Sequence, residues 1–502
     1  MESATVQRGV PKPLTLRGRA RSLSVEALAP WAFAALCLAV VVGFFVRQTY
    51  PTYDSYYSLV WGREIMHLHL PTFEAYRAPT EHPLAVGFGA LLSIFGHSAD
   101  RLLLLCTMLS LAALAAGTYR LAKVSFSPLV GAIAAALVVT RFDFDSLAVR
   151  GFMDIPFMAM VVWACALEAS RPRRGLPVFV LLAAAGLLRP EGWLLAGLYF
   201  LWMSWRASWA DRARFAALAA IGPLGWAATD LVVTGDPFFS LHSTQDLAAE
   251  LGRQKSGSVV RHVLPQFLRE TVKTPVYLLA IAGFAIALWR FPVRLAIPAV
   301  LFFTGVFTFV ATGSAGLSVI VRYLMVPSVM MCLFAAIALG GFTMVRPGSR
   351  LRRAWATVAA VAAVAGLVYY SFYPPIPSRF DSELVFRGDV SRSLYSILGK
   401  PAVREGLKCG AVSVPTHKLI PDTRWILDRG EHGVVARSDP SRKARARARY
   451  GVALFPVGRR NILRTGFAVN TAATTQVPSP GFTRIATDRY FAAYLRCPPG
   501  RH

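Results

Sequence analysis

The residues in this chain equipped for acid–base or phosphate chemistry are few, and they cluster. Tyr53-Asp54-Ser55-Tyr56-Tyr57 follows the first long apolar run, and Glu81-His82-Pro83-Leu84 comes soon after. Arg150-Gly-Phe-Met-Asp154-Ile-Pro156, Arg189-Pro190-Glu191-Gly192, Gly235-Asp236-Pro237 and Arg322-Tyr323 stand at later breaks between apolar runs. A carboxylate at such a break can act as a general base toward a hydroxyl, and an arginine can hold a phosphate through paired N–H donors. Each residue also has a plainer reading. Asp54 precedes Tyr57, Val60, Trp61, Ile65 and Leu68, which recur at helical spacing, so it would make a good N-cap. That helix would lie on the membrane surface with its aromatics in the interface. Asp154 would cap the span it starts, Arg189 and Glu191 would pair with each other, and Arg322 would snorkel. Glu81 and His82 would be solvated loop residues, as would Asp143 and Asp145, and Gly-Asp-Pro at 235–237 is a turn signature.

The elements that position these residues are membrane spans. The 502 residues are 55% hydrophobic and 16% charged, with a mean hydropathy of +0.47. A soluble domain carries about 25% charge, so the composition is that of a polytopic membrane protein. The net charge of +27 resides mostly in short basic clusters between apolar runs, which is how membrane proteins mark cytoplasmic loops rather than a nucleic-acid surface. A spanning helix needs about 20 mostly apolar residues. The runs near 29–46, 100–121, 127–140, 153–169, 176–189, 193–205, 213–233, 275–289, 293–312, 323–342 and 354–373 serve, the short ones by borrowing flanking residues. The run 83–96 is shorter and reads as a helix that dips in and returns, or lies at the interface. With 83–96 kept from crossing, every basic cluster between spans falls on one side. The expected fold is therefore an all-α bundle of about eleven transmembrane helices, with interfacial helices in the first outer loop, the N-terminus inside and the C-terminus outside. The acids named above then gather at the outer ends of the bundle.

The basic segment 1–28 carries Arg8, Lys12, Arg17, Arg19 and Arg21 with no cleavable signal pattern, so the first apolar run reads as a retained anchor. Residues 29–373 form the transmembrane domain. Residues 374–502, entered through the stiff Pro374-Pro375-Ile376-Pro377, read as a small extracytoplasmic α/β domain with β-like runs at Gly410–Val414, Gly451–Pro456 and Phe491–Leu495. In an oxidising outer compartment Cys409 and Cys497 can pair, although the sequence does not supply their separation. The other four cysteines lie in apolar runs, and no CxxC or His/Cys cluster suggests a metal site. Lys443, Arg445, Arg447 and Arg449 alternate with alanines. A strand there would put every charge on one solvated face, or against anionic lipid headgroups or an anionic wall polymer.

Taken in order and with their sidedness, these motifs resemble the GT-C superfamily of membrane glycosyltransferases that use polyprenyl-phosphate sugars. The similarity covers about residues 29–345, and the relatives it points to are the protein O-mannosyltransferases, the lipid A aminoarabinose transferases and the actinobacterial arabinofuranosyl- and mannosyltransferases. It implies that Asp54 is the first-loop catalytic acid and Asp154 the second-loop acid, with Glu81 and His82 the polar pair before the proline. Many relatives carry a second acid where Ser55 stands. That weakens the case for a metal held by adjacent carboxylates, and it leaves Glu81 and Asp154 to replace the missing acid. No metal ligand is assigned, and a divalent cation stays open. The implied reaction is direct displacement. An outer-face hydroxyl gives its proton to Asp54 and attacks the anomeric carbon, while cationic groups steady the leaving phosphate. His82, Arg150, Arg189, Glu191, Arg322 and Tyr57 are the expected substrate-binding residues. The partners would be a polyprenyl-phosphate sugar, an acceptor glycan, lipid or protein, and membrane lipids. A transporter or lipid flippase would instead place ionisable groups near the midplane of two repeated halves, and the sequence shows neither. A non-catalytic protein displaying its C-terminal domain would tolerate loss of Asp54.

Overall fold

The computed structural model describes residues 24–254, 257–374, 380–466 and 477–500. The basic tail up to residue 23, and most of the Pro374–Pro377 connector, lie outside the described residues. The chain begins with helix α1 (Val25–Val46), capped by Ser24, whose side chain accepts from the amide of Ala27. The segment between α1 and the next long helix holds α2 (Tyr53–Met66) and α3 (Pro83–Ser93). Then come α4 (Ala99–Ser125), α5 (Pro128–Val139), α6 (Phe142–Ala148), α7 (Asp154–Ser170), α8 (Leu176–Gly186), α9 (Glu191–Ser204) and α10 (Trp209–Thr234). The bundle ends with α11 (Phe239–Glu250), α12 (Gly257–Val272), α13 (Thr274–Arg290), α14 (Pro292–Ser314), α15 (Met325–Gly340) and α16 (Arg350–Phe372).

Every apolar run expected to cross is a helix. Length divides them. Among the described residues, α1, α4, α10, α14, α16 and the segment Val321–Met344 around α15 are long and apolar enough to span. The pair α12–α13 would make a seventh, but it is bent by 109°. Helices α8 and α9, with 11 and 14 residues, rise only about 17 and 21 Å against a hydrocarbon core of about 30 Å. Arg189-Pro190-Glu191 cuts this pair short. By length and composition the count is therefore six or seven rather than eleven. The Val321–Met344 window is 89% buried and forms the bundle's centre, whereas the windows in α1 and α16 are 6% buried and form its periphery.

Helix α2 does not lie with its aromatics in the lipid interface. Tyr56, Tyr57 and Trp61 are buried within the protein, and the exposed apolar residues are Ile65, Met66, Leu68 and Leu70 beyond them. Two glycines allow this. A Cβ on Gly62 would meet the backbone of Ala90 at 2.2 Å, and one on Gly89 would meet Ser58 O at 2.2 Å, so α2 and α3 pack backbone to backbone.

The C-terminal part is a five-stranded sheet with flanking helices. Its strands are β1 (Ala411–Val414), β2 (Val434–Ala436), β3 (Gly451–Pro456), β4 (Thr483–Thr487) and β5 (Phe491–Arg496), in the order β2-β1-β3-β5-β4. Strand β1 runs parallel to β2 and β3, and β5 pairs antiparallel with β3 and β4. Helices α17 (Phe380–Gly399), α18 (Pro401–Gly406), α19 (Ile420–Leu427), α20 (Arg442–Arg447) and α21 (Arg459–Gly466) complete it. Leu398, Val403, Val412, Val452 and Leu454 form its core. Cys409 and Cys497 are disulfide-bonded, with Cα atoms 4.9 Å apart, which ties the entry to β1 to the exit from β5. The alternating basic stretch is helix α20, not a strand. Ser441 caps it, and Lys, Arg and Ala are all good helix formers.

This domain is docked on α2. Arg424 of α19, fully buried, pairs with Glu64 and donates to Thr72 Oγ1 at 2.9 Å. Arg63 donates to the carbonyls of Arg424 and Trp425 at 2.9 and 3.0 Å. Glu64 therefore holds the domain junction.

Candidate active site

Asp54 is the second residue of α2, and Thr52 occupies the N-cap position, so its carboxylate is free to turn elsewhere. The start of α2 is fixed to the loop before α7. The Thr52 amide donates to Arg150 O at 3.0 Å, and Ser55 Oγ donates to Gly151 O at 2.8 Å. Arg322 arrives from the other side, on the short 3₁₀ turn Val321–Leu324 that leads into α15. Its Nη1 lies 3.3 Å from Asp54 Oδ2, and its Nε lies 3.7 Å from Asp154 Oδ1. Asp154, at the head of α7, also accepts from Arg189. Arg189 in turn grips Glu191, with Nη2 at 2.6 Å and Nε at 3.2 Å from both carboxylate oxygens.

The result is one line of alternating charge, Asp54–Arg322–Asp154–Arg189–Glu191. Its two guanidiniums line a cavity whose walls are Phe157 and Met158 of α7, Leu195 of α9 and Leu301, Thr304 and Thr308 of α14. Both arginines meet Asp154 at the same oxygen, Oδ1. Asp54 differs: Oδ2 faces Arg322, while Oδ1 is buried with no partner among the described residues. Arg150 stands beside this line. Its guanidinium and that of Arg322 lie over the Phe152 ring at 5.0 and 4.9 Å.

His82 caps α3 and faces the same region. Its Nδ1 is buried without a partner among the described residues, and its ring meets Trp226 edge-on at 5.8 Å. Burial, and after it the nearby Arg189, push its pKa down to about 4, so the imidazole is neutral. Such a ring can donate or accept but adds no charge.

Glu81 does not join Asp54. It turns toward α10 and α11, where Trp226 Nε1 donates to it at 2.9 Å and Ser240 Oγ bonds it. Tyr57 is also absent from the charged line: it packs against Trp61 at 4.9 Å in a fully buried aromatic cluster. Asp143 and Asp145 are half-buried in α6 rather than solvated. Asp236 is half-buried; it accepts from the Phe238 amide at 2.9 Å, as a turn residue does, and pairs with His242.

Some neighbours had no local signal in the sequence. Asp230 lies inside an apolar run, and Ser240 follows it in the next helix. The soluble domain also reaches the site. The His417 ring packs edge-on against Tyr53 at 5.8 Å and Tyr76 at 6.3 Å, and burial pushes its pKa down to about 3.

No family model and no curated protein matches the chain. Solved structures do. ArnT from Cupriavidus metallidurans bound to undecaprenyl phosphate aligns with a TM-score of 0.55 at 15% identity, over 93% of this chain and 97% of that one. Its apo state gives 0.53 at 13%, over 94% and 98%. The oligosaccharyltransferase of Archaeoglobus fulgidus in its apo form gives 0.53 at 12%, over 87% of this chain and 70% of that one. Likeness at this level of identity is one of fold: the chain has the fold of ArnT and of the archaeal oligosaccharyltransferase.

Proposed function

We propose that this protein is an integral membrane glycosyltransferase that moves a hexosyl or pentosyl group from a polyprenyl-phosphate donor to an acceptor hydroxyl on a glycan, lipid or protein. In this reading the N-terminus is cytoplasmic and all eleven apolar helices cross the cell membrane, the short ones with help from flanking residues. The site and the C-terminal domain then face outward, and the basic clusters between spans share the inner side. The observation that carries the reading is Asp54, which has one oxygen paired with Arg322, itself a wall of the cavity, and one buried oxygen left unpaired among the described residues.

The chemistry follows from those atoms. The acceptor hydroxyl gives its proton to Asp54 Oδ1 as its oxygen bonds to the anomeric carbon. The bond from that carbon to the phosphate oxygen breaks, and the electron pair leaves with the phosphate. Arg322 and Arg189 oppose the growing negative charge, and neutral His82 offers an N–H. Asp154 and Glu191 orient the two guanidiniums. The crystal structure of ArnT with undecaprenyl phosphate supports a lipid-phosphate donor on this fold. The residues present do not fit a divalent cation between the two acids, because Arg322 stands there, so no step runs through a metal. A transfer assay from a polyprenyl-phosphate sugar tests the reading. Asp54→Ala should abolish transfer while undecaprenyl phosphate binding persists. Transfer at the unmodified rate would reject it.

A further inference from the structure

Glu81 and Asp230 form a second acid cluster, outside the charged line. Glu81 is 1% exposed, and so is Asp230. Ser240 Oγ contacts both, bonding Glu81 and lying 2.8 Å from Asp230 Oδ1. The Ser240 amide donates to Asp230 Oδ2 at 3.0 Å, and Trp226 Nε1 donates to Glu81 at 2.9 Å and to Ser240 Oγ at 2.8 Å. The groups facing the pair from the surrounding helices are Trp226 on α10 and Ser240 on α11, with His82 next in the chain. Among the described residues no arginine or lysine makes an ion pair with either acid.

Proton bookkeeping then decides the state of the pair. The shared contact with Ser240 Oγ brings the two carboxyl groups close together. The Ser240 hydroxyl has one hydrogen and contacts two carboxyl groups, so it can donate to only one of them. Two buried carboxylates without a cation would repel at close range. Burial in the first place, and Asp230 after it, push the Glu81 pKa up to about 8.

We infer that Glu81 and Asp230 share one proton, and that this singly protonated clasp joins α3, α10 and α11 and so positions His82 against the Arg189–Asp154 site. Glu81 is then a positioning residue rather than a base. The Trp226 indole serves both ends: its N–H bonds the clasp, and its ring packs against His82. A group with a raised folded-state pKa stabilises the fold at low pH, and that stability is lost as pH rises through the raised value. The clasp therefore weakens through about pH 8.

The test compares the full chain with Glu81→Gln and Glu81→Ala in detergent. An amide replaces the protonated carboxyl group, so Glu81→Gln should melt near the unmodified protein at neutral pH and lose part of the decline in stability that runs from the ordinary glutamate range up to about pH 8. Subtracting the Glu81→Gln infrared spectrum should leave a protonated-carboxyl band. The subtraction removes Asp422 and Asp145, whose pKa values burial also raises, to about 8 and about 7. Glu81→Ala should melt several degrees lower at every pH; if it fails to fold, the glutamine variant still decides. A glutamine variant as unstable as the alanine one, or a difference spectrum with no such band, would overturn the inference. Neither readout depends on the transferase reading.

Discussion

Two acid clusters in this bundle solve the same problem in opposite ways. Asp54, Asp154 and Glu191 meet guanidiniums. Glu81 and Asp230 meet a serine, an indole and each other. The first arrangement leaves charge in place, which a general base needs; the second retains a proton, which suits a clasp. A carboxylate in an outer loop is therefore no guide to function by itself: what stands opposite it decides.

The comparison breaks most visibly at Asp54. Asp54→Asn keeps the shape and removes the basic oxygen, and transfer should fall by roughly 10²–10⁴-fold. Arg322→Ala removes the shared cation and should cost roughly 10²–10³-fold in rate, the typical loss for one transition-state donor. Arg189→Ala leaves Asp154 and Glu191 facing each other. Because the broken pairs are largely buried, thermal or denaturant unfolding should show a loss of about 3–5 kcal/mol. The matching removal at the clasp, Asp230→Asn, leaves a donor in place, so stability should change far less. The smallest effect is expected at Asp422, where burial pushes the carboxyl up to about 8. Its stabilisation is present at low pH and lost as pH rises through that value. Asp422→Asn should remove part of the alkaline decline in melting temperature without altering transfer.

Much of the fold was legible because hydropathy is a local property. Each apolar run became a helix, and three β-like runs became β1, β3 and β5. Strand β2, with three residues, and β4, largely exposed, carried no such signal. The basic repeat in α20 failed for the opposite reason: its alternation is compatible with a strand, but helix propensity and the Ser441 cap won. Full-length spans number six or seven by length and composition among the described residues, because Pro and charged residues shorten some helices, as at Arg189-Pro190-Glu191. Within the site, the convergence of Asp54, Asp154, Arg189 and Arg322 could be anticipated from sidedness, since all lie at outer breaks. The departure of Glu81 could not. It depends on Asp230 and Ser240, which lie 149 and 159 positions away along the chain. Likewise, the aromatic face of α2 suggested a lipid interface, yet Gly62 and Gly89 draw α3 over it and Arg424 clamps the soluble domain there.

The most direct measurement is single-turnover transfer from a polyprenyl-phosphate sugar by the purified full chain, with Asp54→Asn and Glu81→Gln run in parallel. The two-cluster account predicts that Asp54→Asn loses transfer while still binding undecaprenyl phosphate, and that Glu81→Gln transfers near the unmodified rate at neutral pH. Loss of transfer in Glu81→Gln with Asp54→Asn still active would contradict it.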